Sequence, residues 1–204
     1  TVALSIMPHV GMLPRALPAF RRRYPQVRLQ LIEGLFPDVE ERLRTGQIDF
    51  YVGAAPREAP APGLRMQRLF GNVRVVVGRQ GHPLARVRSL KALADADWAT
   101  TAIDHKAEQD LAQLFASHGL APPRVMVQAR TAMSLIASLV STDLLAMVPA
   151  QWERFSATQA ALQPIRIRER LPAPDMVLIG RTGLPLTPAA EHLCDLLLRE
   201  VPRV

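Results

Sequence analysis

The sequence predicts an α/β protein of two lobes joined by two crossover strands. Three observations predict it. The stretch from Val2 to Val52 reads strand–helix–strand–helix–strand with no insertion. Two further strands, near 64–70 and 73–78, are separated only by Gly71-Asn72. Beyond them the alternation restarts, and the chain then returns through a second pair of strands near 162–181. Uninterrupted alternation of this kind marks an open, mostly parallel sheet, because parallel neighbours need a crossover helix between them. Such sheets bind small molecules where strand ends meet helix starts.

Each element follows from local chemistry. Val2 to Ile6 is a first strand. Leu13, Leu17 and Phe20 stand at helical spacing between Val10 and Tyr24, and Arg21, Arg22 and Arg23 close that helix where cations suit the dipole. Pro14 fits a first turn, whereas Pro18 requires a late start or a kink. Val27, Leu29 and Leu31 alternate with polar residues, the half-exposed pattern of a strand near a sheet edge. Pro37 opens a helix with Asp38, Glu40 and Glu41 in its first turns and Gly46 as its stop. Ile48 to Val52 is the next strand. The loop 54–63 carries three prolines.

The second half is read in the same way. Strands 64–70 and 73–78 form the crossing. A turn at His82-Pro83, a short helix near Leu90–Ala94 and the strand Trp98–Thr101 follow. Then come a helix from Lys106 to His118 that stops at Gly119, a strand Val125–Gln128 and a helix Thr131–Val140. The strand Leu144–Val148 leads into a helix ending near Ala160. The return is a strand Leu162–Ile167, a proline loop and a strand Met176–Arg181. The last helix opens with Thr187 as N-cap and Pro188 at the first helical position, and runs to Arg199. The predicted lobes are therefore 1–71 with 165–204, and 72–164, with a ligand cleft at the hinge between them.

Composition sets the remaining limits. The chain has 204 residues, 49% of them hydrophobic and 21% charged, as in ordinary globular proteins. No run reaches the roughly 18 apolar residues of a membrane span, the richest (135–149) being broken by Asp143. The N-terminus shows no basic region followed by an apolar core. Thr1 stands directly before a strand, so the chain is expected to be a piece of a longer protein. A single cysteine, Cys194, excludes an intrachain disulfide and fits a reducing cytoplasm. The net charge is +7, from 23 Arg and 2 Lys. These cations are scattered, and their clusters lack interleaved aromatics, so a solvated basic surface that attracts anions is preferred to a nucleic-acid interface.

The residues that carry a family resemblance are Leu13-Pro14 with Phe20 and Tyr24-Pro25, Glu33-Gly34, and Leu43, Gly46 and Ile48-Asp49. Further on come His82-Pro83-Leu84-Ala85, Ser89-Leu90, Leu93 and Trp98. Asp143-Leu144-Leu145 runs into Met147 and Pro149, and Leu186-Thr187-Pro188-Ala189-Ala190 opens the last helix. In this order, over essentially the whole chain, they resemble the effector-binding domain of LysR-type transcriptional regulators. Phe36-Pro37 through Asp49-Phe50, 143–149 and 184–188 look most like regulators of aromatic sulfonate and aromatic acid catabolism. The resemblance implies a type II periplasmic-binding-protein-like fold of two Rossmann-like lobes. It also implies a small organic effector, an anion by the chain's basic charge and of aromatic type by the subgroup, with no cofactor or metal. The family's winged helix–turn–helix and linker helix are not among these residues, so any DNA contact belongs to that other part. Homodimerisation is implied through the helices near 13–24 and 106–118, with a tetramer for the full-length protein. A solute-binding protein of a transporter is the alternative with the same fold.

Candidate effector contacts sit at strand ends and helix starts. On the first lobe these are Ser5, whose hydroxyl can meet a carboxylate or be satisfied by backbone, with Met7 as a soft apolar contact and Pro8 shaping the loop Ser5–His9. Phe36 is a stacking surface or plain core. On the second lobe they are Thr100 and Thr101 with Ile103 as an apolar wall, and opposite them the helix start at Thr131, Met133 and Ser134, an anion site or simply an N-cap. Catalytic alternatives fail. No Gly-x-Ser-x-Gly elbow, phosphate-cradling glycine loop or dinucleotide fingerprint is present. The five His lack metal-ligand spacing. His192 and Cys194 face different sides of one helix. No enzyme is predicted.

Overall fold

The structure is a computed structural model that describes residues 1–36, 38–101, 106–154 and 156–201. Pro37, expected to open a helix, and Ile103 lie outside the described residues. The chain divides into two compact units, Thr1–Asn72 with Pro174–Val204, and Val73–Ala173.

In unit 1, β1 (Val2–Leu4) runs directly into α1 (Ile6–Gly11), followed by α2 (Leu13–Arg23), β2 (Leu31–Glu33), α3 (Glu40–Arg44), β3 (Phe50–Ala54) and β4 (Leu64–Phe70). The segment Ser5–His9, expected as a loop, is therefore helical from Ile6 onward. Ile6, Met7 and Val10 bury one side of it, and Pro8 sits in the first turn, where no N–H is needed. The chain breaks at Met12, and α2 starts afresh at Leu13 with Pro14 in its first turn, so that Pro18 lies inside the helix. The strand expected over 27–31 is confined to β2. Val27 and Leu29 pack on the core from outside the ladder, and Leu31 is exposed, as befits an edge strand. Of the helix expected from Pro37, only 40–44 is formed. Gly46, at φ +81°, turns the chain out of it.

Unit 2 contains β5 (Arg74–Arg79), a 3-10 turn at Leu90–Leu93 capped by Ser89, β6 (Asp97–Thr101), α4 (Lys106–Ser117), β7 (Arg124–Ala129) and α5 (Ala132–Ser141). It continues with β8 (Ala146–Pro149), a 3-10 turn at Ala150–Arg154, α6 (Ser156–Gln159) and β9 (Leu162–Ile165). β5 lies antiparallel between β8 and β9, and β6 pairs parallel with β7. A bridge between Trp98 and Leu145 joins the two ladders, with Ala99 N–H donating to the Leu145 carbonyl at 2.7 Å. Trp98, Leu111, Phe115 and Leu145 are fully buried at the centre of this unit's core.

The chain returns to unit 1 at Pro174, later than the boundary at 165, because β9 completes the sheet of unit 2. β10 (Met176–Arg181) and α7 (Pro188–Arg199) close unit 1. Its five strands lie in the order β2-β1-β3-β10-β4, with β10 antiparallel to both neighbours. Helices α2 and α7 cover one face, where Phe20, Phe50, Val52, Leu193 and Leu197 are buried. Leu43, Ile48, Tyr51, Val177 and Ile179 form a second core on the other face. Among the described residues no helix is long and apolar enough to cross a membrane.

Candidate functional site

Each unit offers one candidate wall. On unit 1 it is the end of β1. Ser5 is the N-cap of α1, extended at φ −75° and ψ 175°, and it is buried. Its N–H donates to the Val52 carbonyl at 3.0 Å, which locks the start of α1 to the middle of β3. Its carbonyl accepts from the His9 N–H at 3.3 Å and from His9 Nδ1 at 3.2 Å, so His9 is tied to the helix start. Met7 is buried in the core beneath α1, and Pro8 is buried in the same turn. Phe36 is almost wholly buried, with its ring 6.0 Å from that of Tyr51. Met7 and Phe36 are packed into the two cores of unit 1.

Sequence reasoning missed Tyr51. This side chain is fully buried, and its hydroxyl donates to the Ala54 carbonyl at 3.0 Å. Burial pushes the phenol well above its ordinary range, while hydrogen bonds to the Phe36 backbone and the Ser5 side chain pull the other way. It therefore stays a neutral donor beside Ser5. The available signal was Gly53: a glycine inside a strand marks a close approach, here by Tyr51 and Ser5.

On unit 2 the wall consists of the end of β6 and the start of α5. Thr100 is buried, and its Oγ1 has no hydrogen-bond partner among the described residues. Thr101 is half-buried at the last position of β6. Thr131 caps α5: its Oγ1 accepts from the Ser134 N–H at 3.1 Å and shares a 2.9 Å hydrogen bond with Ser134 Oγ. The Thr131 hydroxyl is thus already engaged as a cap, whereas that of Thr100 has no such partner among the described residues. Met133, in the first turn, is 71% exposed. A chain with unpaired or lightly paired hydroxyls at strand ends can hold a small polar molecule through neutral hydrogen bonds. Among the described residues no group of three or more His, Cys, Asp or Glu is placed to hold a metal.

Open α/β sheets in both units, with hydroxyls at strand ends and a capped helix start, define a small-molecule-binding domain. Residues 1–202 match the family model described as LysR substrate binding domain, and the chain belongs to that family. It is 32% identical over 194 residues to the HTH-type transcriptional regulator GalR of Pseudomonas putida, covering 91% of this chain and 49% of that protein. The chain spans about half the length of the curated relatives it matches. Among solved structures, the regulatory domain of CcmR from Synechocystis in complex with 2-PG superposes with a TM-score of 0.76 at 19% identity, covering 98% of this chain and 95% of that one. The effector-binding domain of QuiR in complex with shikimate gives 0.73 at 15% identity, covering 98% and 95%. These likenesses establish the type II periplasmic-binding-protein-like fold.

Proposed function

We propose that this chain is the effector-sensing part of a bacterial LysR-type transcription regulator that works in the cytoplasm, without catalysis of its own. The effector is a small organic anion. Ser5 on unit 1, and Thr100, Thr101 and the α5 start on unit 2, are its polar contacts. The buried Thr100 hydroxyl, which has no partner among the described residues, carries this reading, since a buried polar group without a partner costs stability unless a ligand satisfies it. The net charge of +7 supports the anionic class by long-range attraction. Shikimate, bound by the QuiR domain, is a small carboxylate.

Regulation of DNA binding would follow from a shift between two arrangements of the whole regulator, driven by the effector's different affinity for each. The DNA contact itself belongs to a winged helix–turn–helix beyond these residues, and α2 and α4 are the proposed homodimer surfaces. The relatives are named as transcription regulators, which favours this reading over a transporter's solute-binding protein.

A thermal-shift screen of shikimate, aromatic carboxylates and aromatic sulfonates tests the proposal. A ligand at about 100 times its Kd adds roughly 2.7 kcal/mol to stability. Ser5→Ala and Thr101→Val should each weaken the hit. If no acid raises the melting temperature, the anionic effector is wrong; if both variants keep full affinity, the contacts are misplaced.

A further inference from the structure

The sheet of unit 1 carries a cavity of about 260 Å³ that none of the residues discussed above as effector contacts lines. Its floor follows from the strand register. Phe50 of β3 pairs with Gly180 of β10, and Gly180 pairs with Arg65 of β4; Leu178 pairs with Gln67. Paired residues share a face, and so do residues two apart, so all five lie on one side of the sheet. That side is the one α7 covers at Phe50. Arg181, Leu184, Pro185, Leu186 and Glu191 complete the lining.

Two observations mark the cavity as more than a packing gap. A Cβ on Gly180 would meet nothing within 4 Å, and Gly180 has no positive φ, so neither strain nor close approach requires glycine there. The missing side chain instead leaves the floor open. At the same cavity Leu184 is 62% exposed, an apolar side chain of this size having found no cover.

The lining also specifies the ligand. Its walls mix apolar groups (Phe50, Leu178, Leu184, Pro185 and Leu186) with polar ones, Arg65 and Gln67 being able to donate hydrogen bonds and Glu191 to accept. The Arg181 guanidinium is spent on the Leu43 and Ile48 carbonyls, which leaves Arg65 and Glu191, of opposite sign, to meet a ligand. A carboxylate attracted by Arg65 is repelled by Glu191, whereas a hydroxyl accepts from one and donates to the other. The volume lies just under the ~300 Å³ at which drug-sized ligands begin, so one or two rings fit. We propose that unit 1 carries a second ligand site, floored by Gly180, for a neutral hydroxylated ring compound of the phenol or naphthol class. This site stands independently of the effector reading above.

The probes are 2-naphthol and 2-naphthoate, which share a ring system and differ in head group. Titration of this chain, followed by calorimetry at pH 7, should show saturable binding of 2-naphthol, more tightly than of 2-naphthoate. Gly180→Val, which suits an extended strand, should lower 2-naphthol affinity by about tenfold or more, because it fills the floor. Gly180→Ala, the milder variant, should lower it severalfold if the valine protein fails to fold. Glu191→Gln should raise 2-naphthoate affinity relative to 2-naphthol. The proposal is overturned by absence of saturable 2-naphthol binding, by affinity unchanged in both Gly180 variants, or by tighter 2-naphthoate binding in the unsubstituted chain. It is equally overturned if Ser5→Ala, rather than the Gly180 variants, removes 2-naphthol binding, because the probe would then sit at the Ser5 wall.

Discussion

The phenol of Tyr51 lies over Gly53, two residues along the same strand, in the space a side chain on Gly53 would occupy. The Ser5 Cβ stands 2.8 Å from that same position. The glycine therefore lets β3 carry a large buried aromatic residue and still receive the start of α1 against its end.

Gly53→Ala is expected to destabilise unit 1 by about 1–3 kcal/mol, the range for forcing an extra group into a packed interior. Urea denaturation measures it. Combining it with Tyr51→Phe should recover part of the loss by removing the nearest atom of the clash. A fully additive double variant would show that Tyr51 does not feel the added methyl group.

At Thr100 the expected sign is opposite. Its buried hydroxyl has no partner among the described residues, so Thr100→Val should leave stability unchanged or raise it by up to about 1 kcal/mol. The same change should weaken effector binding. A clear loss of stability in denaturant titration would reveal a structural partner for the hydroxyl and remove the main support for its ligand role.

Arg181 holds the turn after α3. Its Nη1 donates to the Leu43 carbonyl at 2.8 Å and to the Ile48 carbonyl at 2.9 Å, on either side of Gly46. Arg181→Met keeps much of the apolar stem and leaves two carbonyls without this donor, at a cost of about 1–3 kcal/mol. The effect should be seen as faster amide exchange in α3 and the turn, with little change in α7.

Cys194 is buried in the α7 core, and its thiol is pushed up to about 11, first by burial and then by the carboxylates of Asp195 and Glu191. The thiolate is the reactive form. Ellman's reagent at pH 7 should therefore leave the folded chain unmodified and react fully in urea. The folded state holds this proton more tightly than the unfolded chain does. Its contribution to stability is therefore complete below pH 9 and is lost as the pH rises through 11. Rapid reaction of the folded chain at pH 7 would contradict the burial of this thiol.

Periodicity and punctuation made much of the fold legible. β4, β10 and the start of α7 lie where Gly71-Asn72, the strand pattern and Thr187-Pro188 place them. The family and its fold were legible in ordered short motifs, and both are borne out by the match over residues 1–202. The failures have local causes. Six residues of helix at Ile6–Gly11 are too few to show a period, and Pro8 at its start reads equally as a loop. Val27 and Leu29 alternate as a strand does, yet the ladder reaches only Leu31–Glu33. The return at Pro174 was masked because β9, which pairs with β5, reads no differently from a strand of unit 1.

For the candidate sites, residue type alone identified Ser5, Thr100, Thr101 and Thr131 as hydroxyls at strand ends and helix starts. Whether a hydroxyl is used or spare depends on neighbours far away in sequence or on burial, and no local pattern encodes either. Thr131 is spent on the Ser134 N–H, while Thr100 is buried without a partner among the described residues. Tyr51 and Gly53 acquire their meaning only from the packing of α1 against β3, and Gly180 only from the register of β10 with β3 and β4. By itself, then, the sequence determined the α/β class, the order of elements and the family, because these rest on hydrophobic period and turn chemistry within a few residues. The tertiary structure alone decided which polar groups are left over and where the sheet stays uncovered, because both are set by which strands become neighbours.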